Sequence, residues 1–267
     1  MGIKGGSKME DLSQYTIKEI KKKCENQTVN DKMIEKLAAD SRKGVKKIAK
    51  KYRKIKKEKL RLQEKWNKMN EIASNLRKDG YEIICGIDEA GRGPLAGPVV
   101  ASAVLLDPFN KIIGLDDSKK LSESKREQLF TEIKEKAIAV GIGIVDNEII
   151  DKINIQQASF KAMKKALNKL SFESDYLLVD GNQKIPNINI AQRAVIDGDE
   201  KVNSIAAASI IAKVTRDNII KKYGEKYPEY GFENNKGYGT KEHIKALKTH
   251  GPTPIHRFSY SVVNKHS

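Results

Sequence analysis

The chain has 267 residues, enough for one large domain or two modest ones, with 39% hydrophobic residues to build a core and 32% charged ones, above the roughly 25% of ordinary globular chains. No run reaches the roughly 18 apolar residues of a membrane span, residues 1–11 lack the basic-then-apolar layout of a signal peptide, and Cys24 and Cys85 alone cannot build a disulfide framework or a cysteine-rich zinc site, so a soluble, cytoplasmic protein with no membrane partner is expected. Residues 1–80 hold 24 basic and 11 acidic side chains and the other 187 hold 27 and 24, so nearly all of the net charge of +16 sits in the first third and points to a polyanionic partner.

That first third reads as helical. Thr16 with Glu19 three residues later has the form of a capping box, and Ile17, Ile20 and Cys24 follow at helical spacing. Asp31 is placed as the cap of a second helix bearing Ile34, Leu37 and Ala38 on one side. A long third helix from about Ser41 carries a seven-residue apolar repeat through Val45, Ile48, Tyr52, Ile55, Leu62, Trp66, Met69, Ala73 and Leu76, broken only at Lys59. Twelve basic residues and one acid, Glu58, lie between Arg42 and Arg61. Three readings are open: a small basic bundle gripping nucleic-acid backbone, a coiled-coil dimer, or a helix on an anionic membrane. Residues 77–80, Arg-Lys-Asp-Gly, read as helix end and linker, giving a basic helical domain over 1–78 and a second domain over 79–267.

Beyond Gly80 strands and helices alternate. Residues 81–87, 98–106, 138–145, 176–179 and 191–196 read as strands; 122–136, 156–170 and 204–223 read as helices. This is an α/β pattern, a sheet with helices on its faces, in which chemistry gathers at the carboxyl ends of strands. Asp88 and Glu89 are expected directly after the first strand, Asp180 at the end of the fourth, and Asp199 after the fifth. Gathered together, such acids raise one another's pKa, a conflict that a divalent cation resolves, and oxygen-only ligation suits Mg²⁺ or Mn²⁺. Carboxylates holding two such ions are the usual equipment of phosphodiester hydrolysis. The glycines from Gly91 to Gly97 do not form a dinucleotide fingerprint, because Pro94 and a following strand intervene; they suit close approach of backbone and Arg92 to a nucleic-acid strand.

The stretches IDEAGRGPLAGPVVASAVLL (from Ile87), DDSKKLS (from Asp116), LLVDGN (from Leu177), DGDEKVNSIAAASIIAKVTRD (from Asp197) and NNKGYGTKEH (from Asn234) together closely resemble bacterial ribonuclease HII, over roughly residue 81 to the C-terminus. The related ribonuclease HIII carries threonine where Arg92 stands. The resemblance implies an RNase H-like mixed sheet flanked by helices, with a C-terminal helical region. It implies a metal-dependent endoribonuclease, using Mn²⁺ or Mg²⁺, that cleaves RNA in RNA–DNA hybrids and cuts at single ribonucleotides in duplex DNA, working as a monomer with no obligate protein partner. On this chain the family's metal-binding acids fall on Asp88, Glu89, Asp180 and Asp199. Gly91, Arg92 and Gly93 match the triplet at the 2′-hydroxyl, Tyr238 the tyrosine stacked on the ribose, and Lys119 and Lys120 a lysine pair near the substrate backbone. One departure is Asp197-Gly198-Asp199, where relatives usually have Lys-Gly-Asp.

Asp217 is a rival fourth acid, but fourteen residues along a helix from Asn203 place it about 21 Å from the helix start. Asp116 and Asp117 are read as turn formers. Of the four histidines, His243 is expected on a helix surface and His256 packed in the tail, with no zinc site; Ser204 and Ser209 offer no nucleophile–base pair.

Overall fold

The computed structural model describes residues 11–267; the first ten, on which the signal-peptide expectation rests, lie outside the described residues. The chain forms two compact units, one ending at Lys65 and the other running from Trp66 to Ser267.

The first unit is helical. Helix α1 (Ile17–Asn26) opens on the expected capping box, with the Thr16 N–H donating to the Glu19 carboxylate at 2.8 Å and the Glu19 N–H to the Thr16 hydroxyl at 3.3 Å. Asn30, not Asp31, caps α2 (Asp31–Ala39): it has the extended backbone a cap requires, and its side chain accepts the Met33 N–H at 3.0 Å. Ile20, Cys24, Leu37, Val45, Ile48 and Ala49 close a small core with α3 (Lys43–Met69). The heptad seam does not run through one helix. It breaks at Asn70, where α4 (Glu71–Lys78) begins, and the seam changes core within α3: Val45 and Ile48 serve the first unit's core, Met69 and Ala73 cores in the second.

The second unit is built on a five-stranded sheet, β1 (Ile84–Ala90), β2 (Val99–Leu106), β3 (Ala137–Val145), β4 (Tyr176–Asp180) and β5 (Ala191–Val195), in the order β3-β2-β1-β4-β5. β1 pairs antiparallel with β2 and parallel with β4, so the sheet is mixed. Strand alternation sends Cys85, Ile87, Ala101, Ala103 and Leu105 into a core with α6 (Asn147–Leu167). Val104 points the other way, to α5 (Glu123–Lys136) and α8 (Asn203–Lys226). Gly86 lets α8 settle on β1: a Cβ there would lie 2.2 Å from the Ser204 carbonyl carbon. Short helices α9 (Phe232–Asn235), α10 (Lys241–His250) and α11 (Ser261–Asn264) complete the C-terminal region. Among the described residues no helix is long and apolar enough to cross a membrane.

Two elements differ from expectation. β1 continues through Asp88 and Glu89, because β2 still pairs with it at Asp88↔Ser102 and Glu89↔Ala101 beyond the reach of β4. α6 starts nine residues before the expected 156. Asp146 caps it, and at Asn154 the backbone turns left-handed (φ 64°); the Asn154 side chain then accepts the N–H groups of Gln156 and Gln157, restarting the helix where the sequence signal begins.

Candidate active site

The parallel register pairs Ile87 with Val179, so the next residue on each strand, Asp88 and Asp180, stands at the same end of neighbouring strands, about 4.8 Å apart in backbone spacing. The turn after β5 leads into α7 (Gly198–Lys201), whose Gly198 N–H donates to Asp180 Oδ1 at 2.7 Å and which carries Asp199. Asp88 and Asp199 are buried. The Asp88 carboxyl lies well above its ordinary range, through burial first and then the charges of Glu89 and Asp180. Glu89 is raised by burial, against the opposing pull of Arg92, whose Nη1 donates to Glu89 Oε1 at 3.2 Å. Burial raises Asp180 despite backbone donors at Gly198, Asp199 and Gly181. Asp199 is pushed up to about 6 by burial, then by Asp180 and Asp117. Four carboxyl groups from three segments therefore feel one another.

Their donor set is oxygen only, the set that hard divalent cations take. As they stand, no three His, Cys, Asp or Glu side chains among the described residues are close enough together to enclose an ion. The fit is thus one of chemistry and electrostatics: crowded, buried acids whose ionised forms a cation would favour.

Lys119 faces this group. Burial works against its ammonium, but attraction to Asp117, Asp199, Asp88 and Asp180 outweighs that and raises its pKa. Lys120 turns elsewhere, onto Glu200 at 2.7 Å. Asp116 and Asp117 do form the turn, accepting the N–H groups of Asp117 and Lys119. Asp117 is also buried against Asp199, a second role that a turn signal does not announce. Asp217 is taken by Lys213 at 2.8 Å.

The glycine triplet and Tyr238 meet in a second cluster. The Leu95 N–H donates to the Gly237 carbonyl at 2.8 Å, drawing the two loops together, and a Cβ on Gly93 would stand 3.7 Å from Tyr238 Cε1. Tyr238 is 44% exposed, available to a ligand. Two fully buried arginines hold these loops. Arg257 donates to the carbonyls of Gly91 (2.6 Å), Arg92 (2.8 Å) and Gly97; Arg216 donates to those of Ala96, Pro98 and Lys236 at 3.0–3.1 Å. Gly91 has φ 98°, and a Cβ there would strike the Arg216 guanidinium at 2.2 Å. Burial, and the neighbouring Arg257, lower the Arg216 pKa to about 10, which still leaves it charged at neutral pH.

Sequence reasoning missed both arginines. Arg216 left a signal, since Ala212, Arg216 and Ile220 follow at four-residue spacing on the buried face of α8; Arg257 left none. Ser209 was likewise missed as a partner: its hydroxyl donates to Asp88, favouring the ionised form, and can then only accept from the Ser118 hydroxyl, 3.0 Å away.

His243 is not on a helix surface but fully buried, its Nε2 3.0 Å from that of His256. The hydrogen bonds fix the tautomers. The Thr253 N–H donates to His256 Nδ1, leaving the His256 proton on Nε2, facing His243 Nε2; the His243 proton is then on Nδ1, donating to the Tyr238 carbonyl. Both rings are neutral, ringed by Tyr230 and Phe232. Burial, and His243 itself, lower His256 to about 4 against 6.5 for the free side chain. A depressed histidine contributes stability that is complete above pH 6.5 and lost as pH falls toward 4, up to about 3 kcal/mol here. The raised carboxyls act in the opposite sense, favouring the folded state at low pH, so the pair is read as a difference. Between pH 7.5 and 4.5 the denaturation midpoint of the wild type should drop relative to that of His256→Gln; parallel curves would refute the assignment.

The 3-2-1-4-5 mixed sheet with helices on both faces is the RNase H-like nuclease fold. The family model for ribonuclease HII matches residues 85–263, and that for the ribonuclease HII N-terminal domain matches residues 16–77. Ribonuclease HII of Clostridioides difficile (strain 630) is 52% identical over 256 residues, 94% of this chain and 98% of its own. The crystal structure of ribonuclease H2 from Pyrococcus horikoshii OT3 aligns with a TM-score of 0.60 at 29% identity, covering 69% of this chain and 97% of that one. Bst-RNase HIII in complex with Mn²⁺ shares the fold at 16% identity, with a TM-score of 0.52 over 70% of each chain. The chain belongs to the ribonuclease HII family and is an endoribonuclease of RNase H type 2.

Proposed function

We propose that the enzyme hydrolyses the RNA strand of RNA–DNA hybrids and cuts 5′ of single ribonucleotides embedded in duplex DNA, leaving a 3′-hydroxyl and a 5′-phosphate. Its task is then the removal of misincorporated ribonucleotides and RNA primers, performed as a monomer. The observation that carries this reading is the β1–β4 register, which aligns Asp88 with Asp180 beside Asp199.

Asp88, Glu89, Asp180 and Asp199 would hold Mn²⁺ or Mg²⁺, and a pair of such ions supplies activation of water and neutralisation of charge at the scissile phosphate. The protein supplies the rest. The Gly91–Gly93 backbone and Arg92 lie against the ribonucleotide, and the Tyr238 ring beside Gly93 packs on its sugar, so that a 2′-hydroxyl distinguishes RNA from DNA. Lys119 draws the phosphate toward the acids while remaining charged. Lys120, paired with Glu200, steadies α7 and leaves that pair as the substrate backbone approaches.

Mapping of cleavage on a duplex with one ribonucleotide, with Mn²⁺, Mg²⁺ or EDTA, tests the reading. A single cut 5′ of the ribonucleotide is expected with either ion and none in EDTA. Tyr238→Ala should lose most of this cut without losing thermal stability. Cleavage in EDTA, or of an all-DNA junction, would overturn the assignment.

A further inference from the structure

We propose that the outward face of α3 in the first unit is a docking surface for the sugar–phosphate backbone of a nucleic-acid duplex. The inference rests on the duplex substrate proposed above and adds a second place where the protein holds it.

Residues 11–65 carry 19 basic and 8 acidic side chains, and the excess is not scattered. Lys43, Lys47, Lys50, Lys54 and Lys57 follow at spacings of four, three, four and three, which places them on one side of the helix. All five are exposed, while Val45, Ile48 and Ala49 face the core. Over fourteen residues the row is about 21 Å long, with a cation about every 5 Å. One strand of a duplex presents a phosphate about every 3.4 Å of axis, so the row spans about six of them.

Three acids of the unit are paired with cations outside the row, although Glu58 also feels the charge of Lys54. Asp31 pairs with Lys56, Asp40 with Arg42 at 2.7 Å, and Glu58, the one acid between positions 42 and 61, with Arg61 at 2.7 Å. Among the described residues no ion pair or hydrogen bond engages the five lysines of the row. A row of five cations with a single acid, Glu58, at its margin is the arrangement that attracts a polyanion.

A membrane surface is the less suited occupant. A helix lying in an interface needs its apolar side free, and here Val45, Ile48 and Ala49 are spent on the unit's own core. Ile55 and Leu60 are exposed but five residues apart, about 140° around the helix, so they form no apolar stripe.

The test is equilibrium binding of the full-length chain to an RNA–DNA hybrid in EDTA, from 50 to 200 mM salt. Each phosphate neutralised contributes about 0.9 to the slope of log affinity against log salt. Lys47→Gln/Lys50→Gln/Lys54→Gln should therefore flatten the slope by about 3, so that the wild type loses about 40-fold more affinity than the variant across that range. Glutamine and lysine have similar helix propensity, so thermal unfolding should be unchanged and certifies the fold. Lys18→Gln/Lys22→Gln/Lys32→Gln removes the same charge away from α3; it should keep cleavage and change the slope by less than 1. An unchanged slope in the α3 variant, or an equal change in the control, would overturn the proposal. So would binding to phosphatidylserine vesicles that the α3 variant loses while its duplex slope stays intact. Those outcomes leave the nuclease reading standing, because hybrid cleavage by the wild type is scored separately.

Discussion

Asp88→Asn is expected to suppress hybrid cleavage at least about 100-fold and, at the same time, to leave the protein as stable as before or more so in EDTA. The two halves share one cause. The Asp88 carboxyl is 5% exposed, in a position where burial, Glu89 and Asp180 all oppose its ionised form. Asparagine keeps the shape and the acceptor for the Glu89 N–H, now at 2.7 Å, and removes the charge. For folding that is relief. For catalysis it would remove one of the proposed metal ligands, and even the outer partners of metal ligands typically cost 10–100-fold when lost. Single-turnover cleavage with Mn²⁺, set beside thermal denaturation in EDTA, measures both. A marked loss of stability would mean that the carboxylate is a structural partner, and retained cleavage would remove it from the site.

Arg257→Lys carries the second large effect. The guanidinium reaches the carbonyl oxygens of Gly91, Arg92 and Gly97 and the Tyr260 hydroxyl at once, through a planar fork of donors. Lysine keeps the charge but brings a compact ammonium with three donors, and cannot span that set. Each buried carbonyl left without its donor costs about 1–3 kcal/mol, so a loss of about 2–4 kcal/mol is expected. Tyr260 still donates to the Arg92 carbonyl at 2.7 Å, which keeps the loop from collapsing altogether. Cleavage at a lone ribonucleotide should fall with the loosened glycine loop, at temperatures where the variant is still folded. An unchanged denaturation midpoint would show that Arg257 is not what holds the loop.

What the sequence disclosed followed from the range of the forces involved. The strands around Asp88 and Asp180 were legible because β-branched and apolar runs end abruptly in acids, a local pattern. The capping box at Thr16 and Glu19 was legible for the same reason. The extension of β1 through Glu89 was not, since it depends on β2 still being there to pair with it. Nor was the pairing of His243: spacing to Ala246 and Leu247 puts it on the buried face of α10, but the partner of its ring arrives only when the tail returns with His256. Resemblance to a family pointed to the acids and Tyr238, while the arginines behind them belong to contacts between segments more than a hundred residues apart.

That separation has a consequence for biosynthesis. The carbonyl of Arg92 is gripped by a guanidinium 165 positions later, ten residues before Ser267. A nascent chain can assemble its sheet and bring its acids into line while the tail is still inside the ribosome, yet the loop that would distinguish a ribose remains unclamped. On the function proposed above, ribose selectivity would be completed only once residue 257 has joined the fold, and a chain cut short before it should keep its acids aligned and lose the clamp on the glycine loop.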